Sequence, residues 1–129
     1  MNQVEASPKT VLFVCPHGAG KSRIAAALFT AEAPPGWLAT TAGIEPQDQI
    51  SLHAPRLLAG TPAEQYLDPA LPRPLTAVAE PEHTIAIDCR VAGAEPWDLD
   101  HAEFDEAMRE EIASRVRALT RRLREQETR

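Results

Sequence analysis

At 129 residues, with 43% hydrophobic and 25% charged side chains, the chain is long enough to bury one sizeable core and suits a single domain. A net charge of −6 argues against nucleic acid as the main partner, because neutralising phosphates takes a basic face. No apolar run approaches the ~20 residues of a membrane span, the first residues lack the basic-then-apolar pattern of a signal peptide, and two cysteines fit a reducing compartment better than a disulfide scaffold. The expectation is a cytoplasmic protein with neither a membrane nor a nucleic-acid partner.

In chain order, residues 1–8 read as a loose polar tail ahead of one domain over 9–129. A first strand is expected from about Thr10 to Val14, its apolar residues consecutive as in a parallel strand covered on both faces. A small-residue loop leads to a helix opening at Ser22, with Ile24, Ala27, Leu28 and Ala31 at helical spacing and Pro34-Pro35 as its stop. Residues 37–41 form a short second strand, closed by Ala42-Gly43, and 53–58 a short second helix ending at Gly60. The stretch 61–81 is proline-rich, with one helical turn expected over 75–80. A third strand spans 84–88, and a short fourth strand lies near Trp97. The last helix is expected from near His101 to about Arg124, with Phe104, Met108, Ile112, Val116, Leu119 and Leu123 as its apolar face. Such strand–helix alternation predicts an α/β fold with a doubly wound parallel sheet.

The chemistry concentrates in Cys15-Pro16-His17-Gly18-Ala19-Gly20-Lys21-Ser22, between the first strand and the first helix. A strand that feeds a glycine-containing loop and a helix N-terminus gathers backbone N–H groups and partial positive charge around an anion. Two loop patterns fit. The Walker A P-loop ends in G-K-[ST], as Gly20-Lys21-Ser22 does, but its opening glycine falls on Cys15. The other is C-x5-R-S, in which Cys15 and Ser22 resemble the loop of low-molecular-weight protein tyrosine phosphatases and thiol arsenate reductases, with Lys21 in the arginine's place. The run is most similar to the arsenate-reductase form C-V-H-N-A-G-R-S, departing at Pro16, Gly18 and Lys21.

Three further stretches carry the same resemblance. Thr41-Ala42-Gly43-Ile44-Glu45-Pro46 resembles S-A-G-x-x-P and is followed by Asp48-Gln49-Ile50. Trp97-Asp98-Leu99-Asp100 resembles W-D-L-P-D-P with a deletion, and residues 109–119 resemble R-D-E-I-x-x-R-V-x-x-L. Together they span about Thr10 to Leu123. The resemblance implies a flavodoxin-like domain whose four-stranded parallel sheet has the order 2-1-3-4.

It also implies a cysteine-thiolate mechanism. Cys15 would be the nucleophile, residues 16–20 the oxyanion cradle, Ser22 a hydrogen-bond donor to the thiolate, Lys21 the loop cation and Asp100 the acid for a leaving group. Helix N-termini and nearby cations lower thiol pKa values to roughly 3.5–7.5, and the thiolate is the attacking form. Lysine is a point charge that cannot reproduce arginine's planar fork, so a slowed enzyme and a silent binding module are both open. Gly18 can adopt the left-handed backbone of the asparagine it replaces. Asp100 also reads as the first residue of a capping box with Glu103, and Asp98 is the second candidate acid if the deletion lies elsewhere.

Cys89, at the end of the third strand, is either a redox partner for Cys15 or a small residue closing a strand. His17, His53, His83 and His101 show no metal-ligand spacing, and Arg23 is expected to point outward. The functions left open are phosphate-ester hydrolysis, arsenate reduction with an external thiol or redox protein as reductant, oxyanion binding without turnover and, more remotely, P-loop nucleotide binding. The ligand is thus phosphate, arsenate or a phosphorylated substrate, with no cofactor beyond that reductant.

Overall fold

A computed structural model describes residues 8–127; the tail expected over 1–8 lies, apart from Pro8, outside the described residues. Strand β1 (Lys9–Cys15) is central. It pairs in parallel with β2 (Trp37–Gly43) on one side and β3 (His83–Ile87) on the other, and β3 carries β4 (Glu95–Trp97). The order β2-β1-β3-β4 is the expected one.

The consecutive apolar run of β1 is explained by burial of both faces, since alternate strand residues point to opposite sides. Val11, Phe13 and Cys15 face α1 (Lys21–Glu32), α2 (His53–Leu58) and α3 (Glu106–Glu127), whose apolar side chains share one core with them. Phe13 is the hinge of that core, with its ring 5.9 Å from both Phe29 of α1 and Trp97 of β4. Leu12 and Val14 face the other way, with Ala42, under Leu75, Val78, Cys89 and Val91. Among the described residues no α-helix covers that second face. The connection from β2 to β3 first supplies α2 and then continues as the proline-rich stretch, whose prolines disfavour a helix and leave 3-10 turns at Glu64–Tyr66 and Leu75–Ala77. The turn expected over 75–80 is therefore shorter.

The last helix corrects the sequence reading. It starts at Glu106, not near His101. Asp105 is its cap: Oδ1 accepts the Met108 amide, and its carbonyl accepts the Arg109 amide. The capping box read at Asp100 and Glu103 is thereby overturned, and Phe104 leaves the helix face. Met108, Ile112, Val116, Leu119 and Leu123 are buried as the periodicity requires. No helix among the described residues is long and apolar enough to cross a membrane.

The sheet register brings the Cys15 loop against the end of β2. Cys15 pairs with Gly43, and the loop folds over that glycine so closely that a Cβ there would lie 2.5 Å from the His17 carbonyl carbon and 2.6 Å from the Gly18 nitrogen. Those obstacles are backbone atoms, which cannot rotate away. Gly43→Ala is expected to destabilise the fold by about 1–3 kcal/mol through overpacking, measured by urea unfolding.

Candidate active site

The loop between β1 and α1 is held from outside by its carbonyls. The Cys15, Pro16, His17 and Ala19 carbonyls accept from the amides of Ile44, Glu45, Gln47 and Ser51 at 2.8–3.2 Å. The Gly18 carbonyl accepts from Arg23 Nε at 2.9 Å, and the Gly20 carbonyl from the Ile24 amide at 3.0 Å. In a planar trans peptide the next N–H points opposite to the carbonyl. Tying these carbonyls outward therefore turns the amides of residues 17–21 toward the concave side. Gly18 adopts φ 62, the left-handed conformation expected of it. The stretch 44–51, read from sequence only as a motif match, is the brace that shapes the loop.

A cleft of about 390 Å3 opens over this loop, lined by Cys15, Pro16, His17, Ala19, Gly20, Lys21, Gln47, Ser51, His53 and Phe104. Cys15 is 3% exposed at its base, and its Sγ lies 3.2 Å from Ser22 Oγ. A thiol donates to that hydroxyl; a thiolate would accept from it. Lys21 Nζ donates to Asp88 Oδ2 at 2.6 Å, in a partly buried ion pair. Phe104 lies over Gly20, where a Cβ would come within 2.8 Å of its ring, and stacks on His53 with centroids 4.5 Å apart. His53 and Phe104 thus form an aromatic wall beside the loop.

Arg23 does not point outward as expected. Its side chain is wholly buried, with Nη1 donating to the Asp68 and Ala70 carbonyls at 3.0 and 2.6 Å as well as Nε to Gly18. Burial pushes its guanidinium below the ordinary arginine range, opposed by Asp68, reinforced by Arg73 and opposed again by Cys15. Arg73 donates to Asp68, Thr40 and the Thr41 carbonyl, so two arginines staple the proline-rich stretch beneath the loop.

Asp100 is exposed and does not line the cleft. Its amide and that of His101 donate to the Glu111 carboxylate. Asp98 is also exposed and engaged by Arg90, which holds its carboxyl below the ordinary range. Cys89 sits on the other face of the sheet from Cys15, its Sγ 3.7 Å from the Val14 carbonyl oxygen. Burial raises its pKa, and the charges of Cys15 and Asp88 add to that rise. The structure thus brings together Cys15, residues 16–20, Lys21 and Ser22, but neither Asp100 nor Cys89. Gln47, Ser51, His53 and Phe104 were not read as site residues. A carboxylate at a strand's C-terminal end was the available signal for Asp88. No group of three or more His, Cys, Asp or Glu suited to a metal ion occurs among the described residues.

No protein-family model and no curated protein matches the sequence. Solved structures do. The thioredoxin-dependent arsenate reductase of Corynebacterium glutamicum aligns over 94% of this chain at 26% identity and a TM-score of 0.74; this chain spans 64% of that one's length. An arsenate reductase of Archaeoglobus fulgidus aligns over 88% of this chain and 97% of its own at 27% identity and 0.64. A low-molecular-weight protein tyrosine phosphatase of T. tengcongensis aligns over 92% and 99% at 17% identity and 0.63, a likeness of fold. The structural neighbours are members of the low-molecular-weight phosphatase and arsenate reductase superfamily, and the chain has that superfamily's fold.

Glu111 gives the segment at Asp100 and His101 a measurable anchor. Burial alone would raise its pKa, but the Asp100 amide, the His101 ring and amide and Arg115 hold it down to about 2. A folded value below the ordinary 4.5 means that its stabilisation is complete above about pH 4.5 and disappears as pH falls toward 2. The contribution is on the order of 3 kcal/mol at neutral pH. Glu111→Gln is expected to lose most of it and to flatten the pH–stability curve between pH 5 and about 2, read by thermal melts across that range.

Proposed function

We propose that this chain is a cysteine-thiolate enzyme acting on a tetrahedral oxyanion, with arsenate reduction as its leading chemistry. The observation that carries the reading is the Cys15 thiol at the base of a loop whose carbonyls are tied outward and whose amides face the cleft. The anion's oxygens would sit on the amides of residues 17–21, with Lys21 supplying the positive side chain and Ser22 Oγ hydrogen-bonding the thiolate.

In this reading the Cys15 thiolate attacks arsenic and displaces one oxygen as water after protonation, leaving a sulfur–arsenic(V) bond. A second thiolate then attacks Cys15 Sγ. The S–As bond breaks with its electron pair going to arsenic, so arsenite leaves and a disulfide forms. Another thiol reduces that disulfide and restores Cys15. Because Cys89 lies on the opposite face of the sheet, the second thiol is supplied from outside, by a low-molecular-weight thiol or a redox protein. Hydrolysis of a phosphate ester would share the first step, forming a phosphocysteine, but needs an acid for the leaving group. The carboxylates expected in that role, Asp100 and Asp98, are not among the cleft residues, and this supports arsenate reduction over hydrolysis.

A non-catalytic oxyanion-binding module is the second reading, favoured by the engagement of Lys21 with Asp88. Arsenite production from arsenate with a small thiol, run beside aryl phosphate hydrolysis, separates the three. Native protein and Cys89→Ser are expected to produce arsenite within about threefold of each other, and Cys15→Ser none. Arsenite production that collapses in Cys89→Ser would make the internal cysteine the second thiol. Phosphate turnover without arsenite would put hydrolysis first. Silence of the native protein in both assays, with turnover in Lys21→Arg, would leave the binding module.

A further inference from the structure

Asp88 follows β3 directly in a left-handed backbone conformation, φ 53, which is costly for a residue with a Cβ and persists where the surroundings over-determine it. Those surroundings are on three sides. The Asp88 amide donates to the Trp97 carbonyl at 3.0 Å, Oδ1 accepts the Leu99 amide at 2.9 Å, and Oδ2 accepts Lys21 Nζ at 2.6 Å. One side chain thus grips the loop cation and the backbone ahead of Asp100, next to Cys89.

The pair is 16% and 25% exposed, so its attraction is screened less than that of a surface pair. Lys21 is the cationic side chain lining the cleft, and Asp88 neutralises it. An anion entering the cradle must either draw the ammonium from Asp88, leaving that carboxylate uncompensated, or bind on the loop amides beside a neutral pair. A flexible four-carbon stem with a point charge can swing between two acceptors.

We propose that Asp88 is a specificity-determining latch on the oxyanion site: its carboxylate occupies Lys21 in the empty cleft, and a doubly charged tetrahedral oxyanion binds by drawing Lys21 away from it. The latch rests on the oxyanion cradle of the proposed function and adds its selector. Singly charged anions compete poorly with a carboxylate already in place. Release of Lys21 also removes one of the three bonds that hold Asp88 left-handed, so occupancy of the cleft loosens the turn that carries Cys89.

The test uses inorganic phosphate and the Cys15→Ser protein, in which Cys89 is the sole thiol. Calorimetry is expected to show phosphate bound about tenfold more tightly by Cys15→Ser/Asp88→Asn, which removes the competing charge and keeps an oxygen for the Leu99 amide. Cys89 labelling by a maleimide is expected to quicken severalfold with phosphate when Asp88 is present, and to be fast without phosphate in the Asp88→Asn protein. Unchanged or weaker phosphate binding in Asp88→Asn, with phosphate bound normally by the Asp88 protein, overturns the latch and makes Asp88 the residue that aims Lys21. A Cys89 labelling rate indifferent to phosphate overturns the coupling without requiring any change at Asp88. If the Asp88 protein binds no phosphate, the cradle itself is refuted, and the latch falls with it.

Discussion

The site depends on the outward bonding of six consecutive loop carbonyls, from Cys15 to Gly20. A short loop cannot choose which way its peptide planes face unless something outside holds them, because free peptide units in a glycine-containing loop sample both orientations at little cost. Here the braces come from three places: the amides of residues 44–51, the first turn of α1 and the guanidinium of Arg23. Once they are set, planarity of the peptide alone directs the amides inward. The cradle is therefore a property of the neighbours as much as of the loop.

This accounts for the company the loop keeps. Gly43 has room for nothing larger than hydrogen where the loop crosses β2, so a Thr-Ala-Gly stretch follows from contact with the loop. Arg23 is a fully buried cation, and burial of a charge is costly unless it is hydrogen-bonded; its Nε and Nη1 have partners, while Nη2 is buried without one. Its partners are carbonyls of the loop and of the proline-rich stretch, with Arg73 clasping Asp68 from the other side. The sheet face without a helix is thus stabilised by a strap of prolines, which need no helical ladder, and by two arginines that tie the strap to the cradle.

Much of the fold was legible because its signals are local. A consecutively apolar strand, helical spacing after Ser22 and a double proline stop gave the strands and the first helix, while the sheet order came from the family resemblance. The start of α3 was not legible: Asp100-His-Ala-Glu103 and Asp105-Glu-Ala-Met108 both offer a capping aspartate, and only tertiary contacts choose between them. Glu111 claims the Asp100 and His101 amides, so the chain stays extended there and turns helical five residues later. The candidate site divides the same way. Cys15 through Ser22 are contiguous and could be read; His53 and Phe104 reach the cleft, and Asp88 reaches Lys21 beside it, only through the tertiary fold.

Lys21, at the position where the loops this one resembles carry arginine, is a weaker anion ligand when the loop is viewed alone, and part of a different balance when Asp88 is included. A planar guanidinium can hold a carboxylate along one edge while presenting another edge to an oxyanion. An ammonium offers three donors around one point and must move to change partners. With lysine at position 21, the cation and Asp88 form a compact neutral pair, and the fixed attraction for an anion falls to the loop amides and the α1 dipole. Those do not depend on side-chain rotamers. A site built this way keeps its shape when empty and tolerates a buried thiol beside it, at the expense of the extra transition-state grip that a second guanidinium edge supplies. Chemistry that needs only a thiolate attack on an already electrophilic centre suits such a site better than chemistry that must also stabilise a departing alkoxide.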